Sequence, residues 1–349
     1  RGVVENEFIS VEIDWETGGI KSLVDKSTGV DLADPEAPMG LFEFAIERDH
    51  GMSAWIIGDI RSSRILTDVE QLEASTGAYK SVFKSTRKFA SSTVVCEVIV
   101  RAGDPTVELN ITSDWFERGD RERGVPMLRL HIPTSLDEVL PRYEIPYGSV
   151  ERDLTDGEEV PGQRFVDMAG GATDDGVGLV VTNDSKYGFA VEDTSLRVTL
   201  IRSSYEPDPL PEIGDHVIRF GLRPHDSEWN VDQSMKAGAD MNQALQVVGT
   251  DVHDGALAAS GSWLSIDQDN VVLVAMKRKE SGTETVLRFV ETAGEDTEAT
   301  IKLSGPLAAK RASQVDMLEQ SVDDSTASVG DGSISVKVPA YGIVNVICD

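Results

Sequence analysis

The sequence predicts an all-β protein, and three observations lead to that fold class. Apolar residues recur in about 18 short runs separated by Gly-containing turns at roughly 8–12-residue spacing, as in antiparallel sandwiches. Only residues 231–245 show a rough helical spacing of apolar side chains, and Gly238 weakens that pattern. The alternation of strands and helices that builds a Rossmann fold or a catalytic barrel is missing.

Short strands account for both halves of the chain. Residues 8–13 and 20–24 flank the turn sequence Glu16-Thr17-Gly18-Gly19, which predicts a first hairpin. Residues 47–61 have no clear period and are predicted to form a loop. The remaining predicted strands are residues 41–46, 64–72, 78–89, 93–101, 106–113, 128–132, 176–182, 187–192, 196–202, 216–222, 271–276, 284–290, 299–303, 315–318, 334–338 and 343–347.

The charge balance restricts the partners of the protein. The 349 residues include 61 acidic and 32 basic side chains, for a formal net charge of −29. Such a charge repels the phosphates of nucleic acid, so we expect no nucleic-acid partner. Acidic residues spread over the whole chain favour hydration in concentrated salt, which suggests a halophilic source; an ordinary acidic bacterial protein is the alternative.

No apolar run approaches the roughly 18 residues that a membrane span requires, so we expect a soluble protein, with the cytoplasm favoured. The sequence begins at Arg1 without an initiator Met or a signal sequence, which suggests a fragment of a longer protein. Cys96 and Cys348 do not suggest a disulfide framework, and Cys96 is expected to be a buried strand residue. The five His lack the short spacings of metal ligands, so no metal site is predicted.

Residues 142–168, RYEIPYGSVERDLTDGEEVPGQRFVDM, form the least sheet-like stretch of the chain. Pro146 restricts Ile145 to extended conformations, and Gly148 permits a turn. Arg152 follows in a loop that Pro161 and Gly162 close. The carboxylates of this loop are Glu151, Asp153, Asp156, Glu158 and Glu159.

Two interpretations of this stretch are open. Arg152, Gln163 and Arg164 supply planar hydrogen-bond donors, and nearby aromatic rings could stack on a polyhydroxylated ligand. Alternatively, the stretch is a solvated connection whose Arg side chains pair with neighbouring acids. The residue pattern alone favours the solvated connection, because charged loops are common on protein surfaces.

The other candidate motifs favour structural roles. The Gly-rich residues 169–178 are acidic and would repel phosphate, so they predict a turn. The sequence NDSKY at residues 183–187 predicts a tight turn with side-chain caps, although it could also present Tyr187 to a sugar. There is no GxSxG motif, Walker loop or GxGxxG motif. The many acidic residues prevent a catalytic carboxylate pair from being singled out.

Several segments, in a fixed order, carry a family resemblance. The segments are ENEFISVEIDWETGGIKSLVDKSTGVDL, YEIPYGSVER, VPGQRFVDM, GVGLVVTNDSKYGFAV, LRVTLIRSS, FGLRPH, VVLVAMKR, TVLRFVE, VDMLEQ and VKVPAYGIVNV. With these segments in this order, the chain resembles the C-terminal β region of glycoside hydrolase family 38, the α-mannosidases, from about Glu5 to Val346.

The resemblance implies a large antiparallel supersandwich of the galactose-mutarotase type over residues 1–262, followed by a smaller β-sandwich over residues 263–349. It implies a retaining, zinc-assisted parent enzyme. The zinc ion, the nucleophilic Asp and the acid Asp of that enzyme belong to an N-terminal (β/α) barrel, which a helical bundle follows. We therefore expect no catalytic residue, metal site or activity in this chain alone. The barrel, the helical domain and mannosides are its expected partners.

In the family, the loop that aligns with YGSVER lends an Arg to the rim of the active site. The resemblance thus makes Arg152 the first candidate for contact with substrate, and it reverses the preference for a solvated connection. Gln163, Arg164 and Asp167 are further candidates, and Tyr147 follows them. Two alternatives stay open, a free-standing carbohydrate-binding module and an independent mutarotase-like enzyme.

Overall fold

The computed structural model describes residues 2–154, 157–170, 176–209 and 212–349. Asp156 of the acidic loop and residues 171–175 of the Gly-rich stretch lie outside the described residues. The prediction of an all-β fold is confirmed, since strands alternate with turns and loops and the described part holds one α-helix and one short 3-10 helix. No helix in the described ranges is long and apolar enough to cross a membrane.

The chain divides into two compact units. The first comprises Arg1–Glu144, Val150–Trp229 and Ala237–Gln243, and the second comprises Ile145–Ser149, Asn230–Lys236 and Ala244–Asp349. The domain boundary between residues 262 and 263 stays a prediction.

The first eighteen strands and the α-helix precede residue 243. They are β1 (Val3–Glu5), β2 (Ile9–Ile13), β3 (Ile20–Asp25), β4 (Leu41–Glu47), β5 (Ile60–Leu66), β6 (Gln71–Thr76), β7 (Lys80–Phe89), β8 (Ser92–Arg101), β9 (Val107–Trp115), β10 (Val125–Pro133), β11 (Leu140–Ile145), β12 (Gly148–Glu151), β13 (Val160–Pro161), β14 (Phe165–Ala169), β15 (Gly178–Asn183), β16 (Gly188–Glu192), β17 (Ser195–Arg202), β18 (Gly214–His225) and α1 (Val231–Asn242).

A six-stranded sheet and a nine-stranded sheet form the sandwich of the first unit. Their strand orders are β13-β16-β17-β10-β4-β5 and β12-β11-β14-β15-β18-β9-β8-β7-β6, and a small sheet β1-β2-β3 joins them. Side chains from both large sheets, such as Leu128 and Phe220, belong to one hydrophobic core. Because successive strand residues point to opposite faces, every second residue of these strands points away from that core.

The single strand predicted for residues 64–72 is wrong. The chain ends β5 at Leu66 in the six-stranded sheet and begins β6 at Gln71 in the nine-stranded sheet. Arg87 is almost fully buried, and its Nε donates a 3.0 Å hydrogen bond to the carbonyl oxygen of Leu66. A buried cation from β7, the strand that pairs with β6, thus contacts the end of β5, and local alternation does not encode this contact.

The helix is shorter than the predicted 231–245. Asn242 ends α1, and its Nδ2 donates to the carbonyl oxygens of Gly238 at 2.8 Å and Asn183 at 2.9 Å. These bonds satisfy a helix-terminal carbonyl that has no partner within the helix. A Cβ atom on Gly238 would lie 3.0 Å from Cβ of Arg164, so close packing accounts for a glycine in this helix.

The second unit contains two four-stranded sheets around its own core. Their orders are β19-β22-β25-β24 and β20-β21-β26-β23. The elements are β19 (Leu264–Ile266), β20 (Val271–Arg278), β21 (Thr285–Glu291), β22 (Thr297–Leu303), the 3-10 helix Gly305–Leu307, β23 (Ala312–Val315), β24 (Ser328–Gly330), β25 (Ser333–Val338) and β26 (Ile343–Cys348).

The strand predicted for residues 315–318 lies earlier, at β23, and ends at Val315. Oδ1 of Asp316 accepts hydrogen bonds from the backbone N–H groups of Leu318 and Gln320. Residues 316–320 therefore form a turn and do not continue the strand. Cys96 and Cys348 are both free and buried, as expected for Cys96. Burial raises the pKa of Cys96 to about 12, so its thiol stays protonated at neutral pH.

Candidate functional site

The segment of residues 140–169 contains the predicted site and is more regular than its sequence predicts. It holds β11 to β14, and β11 pairs with β14 so that Arg142 lies opposite Asp167 and Tyr143 lies opposite Val166. The description of this stretch as the least sheet-like is therefore wrong at both ends. Strand β12 lies at one edge of the nine-stranded sheet. Short, polar edge strands show little alternation of apolar and polar residues, so the sequence pattern does not predict them.

Arg152 is held by an aromatic ring and a carbonyl group. Its Nη1 donates a 2.8 Å hydrogen bond to the carbonyl oxygen of Pro161, and its Cζ lies 4.8 Å from the ring centroid of Tyr143. Among the residues that the structure describes, no carboxylate forms an ion pair with Arg152, unlike Arg142 and Arg164. The remaining N–H groups of this guanidinium thus keep their capacity to donate.

Tyr143 provides a rigid, neutral platform for Arg152. The side chain is fully buried in the core of the first unit. Burial raises the pKa of Tyr143 to about 12, although the nearby positive charge of Arg152 acts in the opposite direction. The ring therefore stays neutral, and its face attracts the guanidinium.

Arg164 has a structural partner. Its Nε lies 3.0 Å from both carboxylate oxygens of Glu144, its Nη2 donates to Oε1, and its backbone N–H donates to Oε2 at 2.6 Å. Glu144 is buried, so the guanidinium neutralises a carboxylate that would otherwise lie unpaired in the sheet. The solvated-connection interpretation was correct in pairing Arg164 and Arg142 with acids, the partner of Arg142 being Glu151.

Gln163 lies between these groups and contributes mainly backbone hydrogen bonds. Its N–H donates to the carbonyl oxygen of Glu144 at 3.0 Å, and its carbonyl oxygen accepts from Nδ2 of Asn183 at 2.7 Å. Asn183 also accepts through Oδ1 from the N–H groups of Ser185 and Lys186. The turn predicted at residues 183–187 is therefore capped by a side chain, as expected, and the half-buried Gln163 side chain lies beside it.

Asp167 forms a buried pair with His225. The Nε2 of His225 lies 3.0 Å from Oδ1 of Asp167, and Nδ1 donates to the carbonyl oxygen of Asp226 at 2.9 Å. A carbonyl oxygen and a carboxylate oxygen both accept from a protonated ring nitrogen, so this geometry favours the charged imidazole. Burial opposes that charge, but the Asp167 carboxylate outweighs it and raises the pKa of His225.

An aromatic ring completes the surroundings of His225. Trp229 stacks on the imidazole with ring centroids 5.2 Å apart and an interplanar angle of 22°. The guanidinium carbon of Arg223 lies 4.8 Å from the centroid of Trp229. Contacts with a cation and a charged imidazole use the electron-rich faces of the indole, which favours a structural role for Trp229.

Tyr147 belongs to the second unit and is engaged there. It adopts a positive φ of 61° and is 39% exposed. Arg288 donates a 2.6 Å hydrogen bond from Nη1 to the phenolic oxygen, and its Cζ lies 5.4 Å from the ring centroid. Tyr147 is thus placed by an ion–ring contact that its own sequence neighbourhood does not indicate.

The structure separates the predicted residues into groups. Tyr143 faces the core, so its strand neighbours Arg142 and Glu144 face the opposite side of the sheet. Arg152 lies with Tyr143, whereas Arg164 and Asp167 lie with the outward-facing set. Sequence reasoning missed His225, Glu144 and the platform role of Tyr143. Only the register of β11, β14 and β18 reveals them, since the residues are far apart in sequence.

The described residues do not suit a zinc ion. They contain no group of three or more His, Cys, Asp or Glu side chains close enough to hold a metal. Both nitrogens of the His225 imidazole already face oxygen partners within the protein, the carbonyl oxygen of Asp226 and Oδ1 of Asp167. No step of a mechanism is therefore assigned to a metal within this chain.

Comparison with known families identifies the chain. The family profile described as "Glycosyl hydrolases family 38 C-terminal domain" matches residues 4–210, more than half of the sequence. The chain belongs to glycoside hydrolase family 38. A second profile, "Glycosyl hydrolases family 38 C-terminal beta sandwich domain", matches residues 270–346. The resemblance that the sequence motifs predict is thereby confirmed.

Curated relatives of this family 38 chain are α-mannosidases. The Homo sapiens protein "Alpha-mannosidase 2C1" is 24% identical over 359 residues, which cover 99% of this chain and 33% of the human protein. The Saccharomyces cerevisiae "Alpha-mannosidase" is 24% identical over 369 residues, which cover 95% of this chain and 33% of the yeast protein. The chain thus spans about one third of the length of these relatives.

Solved structures share the fold. A family 38 protein from Enterococcus faecalis superimposes with a TM-score of 0.79 at 16% identity, covering 100% of this chain and 44% of the other. An α-mannosidase from Enterococcus faecalis V583 gives a TM-score of 0.78 at 16% identity, covering 100% of this chain and 42% of the other. The predicted two-sheet sandwich followed by a smaller sandwich is the fold that these proteins share with the chain.

Proposed function

We propose that this chain is the non-catalytic C-terminal β region of a retaining, zinc-assisted α-mannosidase. In this proposal it braces the catalytic barrel and helical domain of the longer enzyme and contributes Arg152 to the rim of the mannoside site. Membership in family 38 and coverage of about one third of the relatives support the proposal. The zinc ion, the nucleophile and the acid would belong to the rest of the enzyme, so this chain alone is inactive.

The arrangement of Arg152 carries the rim role. The guanidinium is fixed by the Tyr143 ring and the Pro161 carbonyl oxygen, while its other N–H groups have no acceptor among the described residues. A fixed, planar donor with free N–H groups suits sugar hydroxyl oxygens, because little side-chain entropy is lost when it binds. Arg164 and Asp167 are paired, so they would act on the site by positioning strands, and the side chains of Gln163 and Tyr147 would be secondary contacts.

Exposed apolar residues support the bracing role. Residues 244–262 have no strand or helix, and five of their large apolar side chains are at least three-quarters exposed. Several large apolar side chains exposed within one short segment are unusual for a surface that no other domain covers. In the proposal the catalytic part of the longer enzyme covers this segment. The five residues are Leu245, Val247, Val248, Val252 and Leu257.

The same proposal places the protein in the cytoplasm of a salt-adapted organism. The net charge of −29 supports a protein adapted to high salt. Two free, buried cysteines are in keeping with the reducing cytoplasm.

The test of this proposal is activity on an aryl α-mannoside. We expect no turnover by the 349-residue chain and zinc-dependent turnover when the catalytic part is present. In the longer enzyme, Arg152→Ala should lower kcat/KM by roughly 10- to 100-fold, the value of a charged hydrogen bond. Arg121→Ala, which removes an exposed arginine, is the matched control. Turnover by the chain alone, or wild-type kinetics of Arg152→Ala, would overturn the proposal.

A free-standing carbohydrate-binding β module is the second candidate. Arg152 already has its fixed geometry within this chain, which favours sugar binding without another domain. Calorimetry of the chain with a mannoside separates the candidates. The module requires binding that Arg152→Ala abolishes, whereas a rim residue requires the rest of the site.

A further inference from the structure

The outward face of the six-stranded sheet carries a second set of charged side chains. Glu43 lies opposite Arg129, and Arg129 lies opposite Thr199, along one row across β4, β10 and β17. In the next row, His131 lies opposite Arg197. The alternate residues of these strands, such as Phe42, Leu130 and Val198, belong to the hydrophobic core. The charged row therefore faces away from that core.

One part of this face is internally satisfied. Glu47 is fully buried, and both of its carboxylate oxygens accept hydrogen bonds from Arg202. The backbone N–H of Gly58 donates to the same carboxylate at 2.7 Å. Glu47 and Arg202 thus form a closed structural pair and have little to offer a ligand.

The neighbouring triad of Glu43, Arg129 and Arg197 is only partly satisfied. Nη2 of Arg129 lies 2.9 Å from Oε2 of Glu43, and Nε of Arg197 lies 3.4 Å from the same oxygen. Burial raises the pKa of Glu43, but the charge of Arg129 and a hydrogen bond from Ser63 outweigh it and lower that pKa. Even so, Oε2 of Glu43, Nε of Arg129 and Nε of Arg197 are buried atoms without a hydrogen-bond partner. Glu43 is 6% exposed and Arg129 is 8% exposed.

Unpaired buried donors and acceptors are costly, and native proteins rarely tolerate three in one place. The Arg197 side chain is 23% exposed, which makes it the most accessible member of the triad, although its Nε is itself buried. A ligand would therefore enter by displacing the exposed part of the Arg197 side chain before it reaches the atoms that the protein leaves unpaired.

The unpaired atoms define the chemistry of such a ligand. Two guanidinium N–H groups require acceptors, and one carboxylate oxygen requires a donor. A hydroxyl group accepts and donates at once, so adjacent hydroxyl groups match the triad. A phosphate or carboxylate could satisfy the arginines but would place a second negative charge beside Glu43.

The surrounding groups also suit a neutral ligand. Burial lowers the pKa of His131, and the positive charge of Arg197 acts in the same direction, so the imidazole favours its neutral form. Burial raises the pKa of Glu159, against the hydrogen bond from Thr199, so ionisation of this acid is less favourable than for an exposed glutamate. Both shifts are toward the uncharged form, which favours a neutral ligand over an ion.

We propose that Glu43, Arg129 and Arg197 form a binding site for adjacent hydroxyl groups of a pyranose sugar on the outward face of the six-stranded sheet. The hydroxyl chemistry follows from the unpaired atoms alone, whereas the choice of mannose as the first probe rests on the proposed function. Vicinal hydroxyl oxygens accept from Nε of Arg129 and Arg197, and one hydroxyl hydrogen goes to Oε2 of Glu43.

Calorimetric titration of the 349-residue chain with methyl α-mannoside, methyl α-glucoside and inorganic phosphate tests the inference. We expect binding of at least one glycoside, and at least tenfold weaker binding by Arg197→Gln. Because Arg197 is only half-buried, this variant should keep the unfolding midpoint of the wild type. Glu192→Gln is the matched control, since it removes the exposed partner of Arg197 but leaves the triad, and it should bind within twofold of wild type.

Each outcome decides the inference. Glycoside binding that is lost in Arg197→Gln supports it, and preference for the glucoside would support the site while counting against mannose as its ligand. Binding of phosphate alone, binding of none of the three probes, or equal binding of sugar by Arg197→Gln overturns it. Absence of all binding means that the unpaired atoms hold water only. The activity of the longer enzyme is a separate measurement, so the proposed function stands or fails independently.

Discussion

The imidazole of His225 lies against Gly178, at a distance at which any Cβ atom would force the ring to move. A Cβ atom on residue 178 would lie 2.3 Å from Cε1 and from Nε2 of the ring. Gly178 and His225 are cross-strand partners in β15 and β18. The close approach directs Nε2 to Asp167, so a glycine on one strand positions a charged pair between two others.

The His225–Asp167 pair predicts a specific pH dependence of stability. The folded-state pKa of His225 is raised, so its contribution is fully present below about pH 6.5, the ordinary histidine pKa, and is lost as pH rises through the folded value. We expect the free energy of unfolding of His225→Gln, measured in urea, to fall below that of the wild type most clearly near pH 5.5 and least clearly near pH 9.

The matched control for this prediction is His253→Gln. His253 is exposed, and within the described part of the chain its ring hydrogen-bonds only through Nδ1, to the carbonyl oxygen of Asp254. Its substitution should leave the pH profile of stability parallel to that of the wild type. Equal profiles for His225→Gln and the wild type would show that the pair is uncharged in the folded protein.

A substitution at Gly178 tests the same contact from the other side. Gly178→Ala should reduce the free energy of unfolding by about 1–3 kcal/mol, because the added methyl group displaces the imidazole. It should also flatten the pH dependence that His225 confers. Gly51→Ala is the control, since a Cβ atom there meets no atom within 4 Å. A mild effect at Gly178 with an unchanged pH profile would contradict the positioning role.

The sequence was sufficient for the fold class and for most core strands, because period-two alternation is a local property. Residues 93–101 and 128–132 illustrate this, since both strands were predicted close to their observed bounds. The sheet change after Leu66 was missed because the buried Arg87 that holds it comes from another strand. The end of α1 was missed because its cap, Asn242, depends on the distant Asn183.

The candidate site was only partly predictable for the same reason. The motif around Arg152 pointed to a ligand-facing guanidinium, but the Tyr143 platform depends on strand β11 facing the core. Residues such as Arg164 and Asp167 have the composition of a binding loop, yet tertiary contacts give them buried partners. Strand register decides which arginine lacks an acidic partner and can donate to a ligand. No local sequence pattern indicates that register.

Stability measurements should separate Arg164 from Arg152. Arg164→Ala leaves Glu144 as an unpaired buried carboxylate, which should reduce the free energy of unfolding by about 3–5 kcal/mol. Arg152→Ala removes a cation–π contact and an exposed hydrogen bond to the Pro161 carbonyl oxygen, together about 1–2 kcal/mol, and should destabilise the protein less than Arg164→Ala does. The double variant Arg164→Ala with Glu144→Gln should recover part of the loss. Similar losses for both single variants would contradict the separate roles.

Added salt should stabilise the folded protein, and the effect should continue up to molar salt concentrations. A net charge of −29 destabilises the compact state through self-repulsion, and screening is strong only when the Debye length falls to about 3 Å at 1 M salt. We expect the urea midpoint to rise between low salt and molar NaCl, with recovery of a protein that has unfolded in low salt. A midpoint independent of NaCl concentration would refute adaptation to high salt.

The exposed segment of residues 244–262 gives the sharpest test of the bracing role. Leu245 and Val248 are 92% and 86% exposed, so replacing both with Asp should change the stability of this chain by no more than about 0.5 kcal/mol. In the longer enzyme the same change would bury two carboxylates against the catalytic part and should lower Tm by several degrees. Thr250→Asp, in the same exposed segment, controls for added charge. Equal effects in the chain and in the longer enzyme would mean that the catalytic part does not cover this segment.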